Sequence, residues 1–123
     1  MPELPEVETI RRQLAHHLEG RLIESVQIPD ARWTRPDPPE PVQAELAGAR
    51  IESVGRAGKY LIWSLSGDRH LLVHLRMTGA LLFDPEVEPT HTRVHFWLDG
   101  GHRIAYVDPR RFGTGHLIHG AAA

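Results

Sequence analysis

The stretch Lys59–Phe83, KYLIWSLSGDRHLLVHLRMTGALLF, decides the fold class. Two runs rich in β-branched and aromatic residues, Lys59–Leu65 and His70–Arg76, flank the turn signal Ser66-Gly67-Asp68 and read as a hairpin. Ala80–Phe83 adds a third strand. Toward the C-terminus, Arg93–Leu98, Arg103–Val107 and Gly113–His119 continue the pattern, with a turn at Asp99-Gly100-Gly101. Val94, Phe96 and Leu98 fall on one face of their strand, and His91, Arg93 and His95 on the other. Toward the N-terminus, Leu22–Ile28 and Arg50–Arg56 read as strands that share the wording Ile23-Glu24-Ser25-Val26 and Ile51-Glu52-Ser53-Val54. The repeat suggests two equivalent helix–Gly–strand approaches to one sheet system. Val42–Ala47 reads as a short helix, and Arg35–Pro41, with four prolines, as a surface loop. Pro2–Glu19 reads as a helix, because Val7, Ile10, Leu14 and Leu18 recur at three- and four-residue spacing and Gly20 follows as a stop. The expected class is α+β, mainly β: an antiparallel two-sheet sandwich or barrel of about eight strands, with an N-terminal helix and a second short one.

With 123 residues the chain is long enough for one domain with a real core. No apolar run approaches the roughly 20 residues that span a bilayer, and the acidic start lacks the apolar stretch of a signal peptide. There is no cysteine, which excludes disulfides and thiolate metal sites and makes the cytosol the default compartment. The formal net charge of −2 requires any nucleic-acid surface to be local. Acids crowd the start (Glu3, Glu6, Glu8), whereas arginines gather in later loops. Of the 14 basic residues only Lys59 is lysine, the one type here that gives up a proton when desolvated.

Met1-Pro2 invites removal of the methionine, which frees a secondary amine. At the positive end of a helix such an amine is partly neutral at cellular pH, and addition to a sugar aldehyde carbon gives an iminium electron sink. Proline also simply starts helices well. Glu3 and Glu6, three apart, share a face near that amine, where a carboxyl group can protonate a sugar ring oxygen; glutamates also suit any first helical turn. Lys59 could meet a phosphate or only water. The turns His74-Leu75-Arg76-Met77-Thr78-Gly79 and Asp108-Pro109-Arg110-Arg111-Phe112-Gly113 place Met77, Arg110, Arg111 and Phe112 at Gly-terminated tips. An exposed Met or Phe there suits a wedge into a base stack, unless the side chains fold back into the core.

Together, Pro2–Thr9 (PELPEVET), Gly58-Lys59-Tyr60-Leu61 and these two turns resemble the bacterial formamidopyrimidine-DNA glycosylases, in the family's order and spacing and across the whole chain. The resemblance implies a bifunctional glycosylase and abasic-site lyase of base-excision repair. Pro2 is then the Schiff-base nucleophile, Glu3 the acid that assists base loss and ring opening, and Lys59 a proton donor or phosphate contact. His91, Arg110 and Arg111 meet DNA near the lesion, and Met77, Arg110 and Phe112 fill the space of the everted base. Leu4, where the endonuclease-eight-like branch has Gly, favours 8-oxoguanine and formamidopyrimidines over oxidised pyrimidines. The implied partner is duplex DNA with an oxidised purine or abasic site, met by a monomer in the bacterial cytoplasm at the nucleoid. Family members continue into a helix–two-turn–helix part and a four-cysteine zinc finger. Residues 1–119 are therefore expected to be the catalytic domain and 120–123 a shortened linker, with zinc, the family's metal, outside this chain and no cofactor in it. As a fragment it is expected to bind DNA weakly and to fall short of intact-enzyme turnover, down to being inactive alone. Two other readings stay open at this level: a non-catalytic damaged-DNA-binding module, and a tautomerase with an N-terminal proline.

Overall fold

Glu3, in extended backbone (φ −77°, ψ 164°), caps the first helix, α1 (Leu4–Leu18). Its amide donates to Glu6 Oε1 at 3.3 Å, which satisfies one of the N–H groups a helix start leaves open. Pro5 falls in the first turn, where its missing N–H costs nothing. Val7, Leu14 and Leu18 are buried along one stripe with Ile10 packed beside them, as the spacing predicts. A computed structural model describes residues 3–120; Pro2 and the last three residues, most of the expected linker, lie outside them.

Eight strands follow: β1 (Ile23–Gln27), β2 (Ile51–Ala57), β3 (Tyr60–Leu65), β4 (Arg69–His74), β5 (Ala80–Phe83), β6 (Thr92–Leu98), β7 (Arg103–Val107) and β8 (Thr114–His119). They form two antiparallel four-stranded sheets, ordered β1-β6-β7-β5 and β2-β3-β4-β8. The architecture is thus an open sandwich, the first of the two expected forms, and not a closed barrel. Alternate residues of both sheets meet in one core, where Trp63 and Phe96 lie 4.9 Å apart between ring centroids.

The second helix, α2 (Pro39–Leu46), starts three residues before the expected Val42. Prolines 39 and 41 sit in its first turn, which has no N–H bonds to lose, so part of the proline-rich stretch is helix and not loop.

The repeated Ile-Glu-Ser-Val words are a second departure. They enter different sheets, β1 in one and β2 in the other, and each carries a bulge at the same place, between Ile23 and Ser25 and between Ile51 and Ser53. A bulge sets two residues against one, so Ile and Val three apart both point inward while Glu and Ser face out. The two starts also bond each other reciprocally. Gly20 N–H donates to Ile51 O and Gly48 N–H to Ile23 O, both at 2.7 Å, and the Ile23 and Ile51 amides return bonds to Ala49 and Arg21 carbonyls at 2.8 Å. This seam joins the two sheets at one edge.

Candidate active site and nucleic-acid interface

Strand register decides which motifs meet. In one sheet Ala57 pairs with Tyr60, Tyr60 with His74, and His74 with Thr114. In the other, Ala80 and Thr92 both pair with Val107. These two rungs lie at one end of the sandwich. From them emerge the Lys59 turn, the loop 75–79, the His91 loop and the turn 108–113, which are the sequence motifs singled out above.

At the Lys59 turn, Gly58 has φ +59° and takes the first of two central positions, which suits a tight hairpin opening with glycine. Lys59 therefore sits in the turn, one residue before the strand it was expected to begin. Its Nζ lies 3.9 Å from Glu3 Oε2, so the two meet beside the start of α1. Glu6 lies one turn on, occupied in capping.

A charge network holds this corner. Glu8 accepts from Arg11 Nη2 at 2.8 Å, from Arg12 Nε at 2.9 Å and from Arg56 Nε at 2.8 Å. Hydrogen bonds from Arg11, Arg56 and Arg12 hold its carboxyl far below the usual carboxylate range. Arg11 also donates to Val54 O at 3.1 Å and Arg56 to Gly58 O at 3.3 Å. The helix, strand β2 and the turn carrying Lys59 are thereby linked through one glutamate.

Asp108 organises the other three segments and is fully buried. It accepts from the Thr78 hydroxyl, from Tyr106 Oη at 2.6 Å, from Gly113 N–H at 2.9 Å and from Arg110 N–H at 3.3 Å. Its amide donates to His91 O at 3.0 Å, and its carbonyl accepts from Arg93 Nε at 2.9 Å. Burial alone would raise its pKa, but the donors from Thr78, Tyr106, Gly113 and Arg110 outweigh that and hold it below the ordinary value. Gly113 is required by the same arrangement: a Cβ there would fall 1.9 Å from the Tyr106 hydroxyl.

The tips stay outside. Met77 is 57% exposed and Phe112 47% exposed, and the Arg110 guanidinium stands 4.7 Å from the Phe112 ring centroid. Neither side chain folds back into the core. Arg76, His91 and Arg111 adopt positive φ (57°, 62° and 57°), a conformation costly for side chains of this size. Each of the three loops thus carries such a residue at this end of the sandwich, and the connection that ends in His91 has a second, Asp84 (φ 49°), at its start. His74, where loop 75–79 begins, has its pKa lowered by burial and then by the nearby Arg76 and Lys59 charges, and its Nδ1 accepts the Arg76 amide at 3.0 Å.

The structure therefore brings Glu3, Glu6 and Lys59 together at one corner, and Met77, His91, Arg110, Arg111 and Phe112 onto one platform. Reading the sequence missed Asp108, Thr78 and Tyr106 as organising residues. An Asp-Pro pair followed by Gly was the one available signal, since an aspartate commonly accepts amides from its own turn. Of the face that carries His91, Arg93 and His95, Arg93 turns its guanidinium back to donate to the carbonyls of Asp108 and Pro109.

Comparison with known proteins matches this arrangement to one family. Residues 1–115 match the model of the formamidopyrimidine-DNA glycosylase N-terminal domain. The formamidopyrimidine-DNA glycosylase of Paracoccus denitrificans is 45% identical over 130 residues, covering 96% of this chain and 45% of the relative. That of Heliobacterium modesticaldum is 44% identical, covering all of this chain and 46% of the relative. Among solved structures, Lactococcus lactis Fpg in complex with DNA containing an abasic site superposes with a TM-score of 0.88 at 35% identity, over 96% of this chain and 44% of that one. The same enzyme with DNA containing Fapy-dG gives 0.87 at 35%, over 95% and 44%. The chain spans a little under half the length of these relatives. Among the described residues, no helix is long and apolar enough to cross a membrane.

Proposed function

Because the chain belongs to the formamidopyrimidine-DNA glycosylase family through its N-terminal domain, we propose that it supplies the catalytic half of a base-excision-repair enzyme that removes oxidised purines from duplex DNA. The observation that carries this reading is the meeting of Glu3 and Lys59 at the start of α1, directly after Pro2 in the chain. The Pro2 nitrogen attacks C1′ of the damaged nucleoside, the C1′–N bond breaks, and the base leaves with the proton that the resulting ammonium gives up, which restores the nitrogen lone pair. The nitrogen lone pair then expels O4′, which Glu3 protonates, and the open sugar is held as an iminium. That cation draws electrons from C2′; a proton leaves C2′, the C3′–O bond breaks and the phosphate departs. Water releases the amine. Lys59 donates a proton or holds the phosphate during elimination, and Glu6 is a second carboxyl near the amine.

In the same reading Met77, Arg110 and Phe112 fill the gap left by the everted base, while His91 and Arg111 contact the backbone. The partner is DNA carrying 8-oxoguanine, a formamidopyrimidine or an abasic site, met by a monomer in the bacterial cytoplasm. The test is single-turnover strand scission on a duplex with one 8-oxoguanine, at high protein concentration and low salt. Scission at the lesion, above an undamaged duplex and one with an oxidised pyrimidine, is expected. Binding without scission would overturn the enzymatic reading and favour a non-catalytic damaged-DNA-binding module.

A further inference from the structure

The loop between β1 and α2 is docked beside the Phe112 turn by residues its proline content does not reveal. Trp33 and Thr34 are buried, while Arg32 and Arg35 on either side are exposed. Trp33 lies so close over Gly115 that a Cβ there would fall 2.2 Å from its ring, and its carbonyl accepts the Gly115 amide at 2.9 Å. Arg35 O lies 3.0 Å from His116 Nε2, which ties the far side of the loop to β8. Both arginines are thereby fixed on the surface that carries Arg111 and Phe112.

Together these residues line a cleft of about 310 Å³ with Arg32, Arg35, Arg111 and His116 around it and Phe112 at its edge. Asp30 is the nearby carboxylate, 3.9 Å from Arg111 Nε and accepting the Arg32 amide at 3.0 Å. Neither Arg32 nor Arg35 forms an ion pair with a carboxylate among the described residues. Three guanidinium groups against one acid form a local positive site on a chain whose net charge is −2. Guanidinium forks match phosphate oxygens, and an exposed aromatic flanked by cations suits a side chain entering a base stack while its neighbours hold the adjoining phosphate.

We infer that this cleft seats a DNA backbone phosphate next to the base step that Phe112 enters, with Arg32 and Arg35 as its ligands. The inference rests on the reading of the chain as a DNA-acting protein and adds two contacts that its sequence motifs do not contain.

The test measures binding of the full chain to an abasic-site duplex by fluorescence anisotropy across a salt series. Wild type is compared with Arg32→Ala/Arg35→Ala and with the charge-keeping Arg32→Lys/Arg35→Lys. The alanine pair should bind roughly tenfold more weakly at low salt, with a slope of log K against log salt smaller by about 1. The lysine pair should keep most of the slope. A scan of single uncharged methylphosphonate linkages should find one position that weakens wild type and leaves the alanine pair unaffected. Wild-type binding with an unchanged slope in the alanine pair would overturn the cleft and leave the proposed function standing. Absence of any wild-type binding would overturn both.

Discussion

The corner at the start of α1 and the three-loop platform share one end of the sandwich but are held in opposite ways. At the corner, Glu8 gathers Arg11, Arg12 and Arg56, and Lys59 faces Glu3 at 3.9 Å, all within reach of water. On the platform, the buried Asp108 carboxylate collects donors from two loops, and its backbone fixes a third. Exposed ion pairs stabilise little and are screened by salt, whereas a buried carboxylate with its donors is costly to break. The difference fits the proposed roles. Reacting groups must move protons and let a sugar ring open between them, while wedge residues must keep their place as a base leaves the stack.

The largest break in this comparison comes from Asp108→Ala. It strands the Tyr106 and Thr78 hydroxyls and the Gly113 amide, and should cost about 3 kcal/mol in denaturant unfolding. A loss near that of an ordinary surface substitution would contradict the hub. pH sharpens the same point. Asp108 is held below its ordinary pKa in the folded state, so its contribution is full above the unfolded carboxylate value and fades as pH falls through the folded one. Wild-type Tm should therefore decline in acid, and the decline should be shallower in Asp108→Asn.

Glu8→Gln should behave differently. It should lower Tm only slightly but slow covalent capture of an abasic sugar several-fold, because it loosens the link between α1 and the Lys59 turn. Equal effects on stability and capture would remove the distinction between corner and platform. Arg76→Gly should have the smallest effect, a gain of at most about 1 kcal/mol from relief of its positive φ. A clear loss would show that the Arg76 side chain itself anchors its loop.

Much of the architecture was legible because period-two patterning and turn residues are local signals. Ala80–Phe83 and Arg103–Val107 have the expected boundaries, and most other strands shift by a residue or two. What was not legible depended on contacts between distant residues or on competing local rules. Four prolines suggested a loop, yet two of them sit in a helical first turn that tolerates them. The Ile-Glu-Ser-Val words suggested two equivalent approaches to one sheet system; the approaches are equivalent down to a shared bulge that gives each an in-out-out-in pattern, but each leads into its own sheet. The candidate residues were named from motifs, but the Thr78–Asp108 bond spans 30 positions and the Trp33–Gly115 contact more than 80, so no motif contains them.

The central claim is the proposal that Pro2, next to Glu3 in the sequence, is the nucleophile. The direct measurement is borohydride reduction of the chain mixed with an abasic-site duplex, followed by mass spectrometry of the adduct. A covalent adduct mapped to Pro2, lost in Glu3→Gln or slowed in Lys59→Ala, is the predicted result. No adduct at high protein concentration and low salt, or an adduct carried by Lys59, would contradict it.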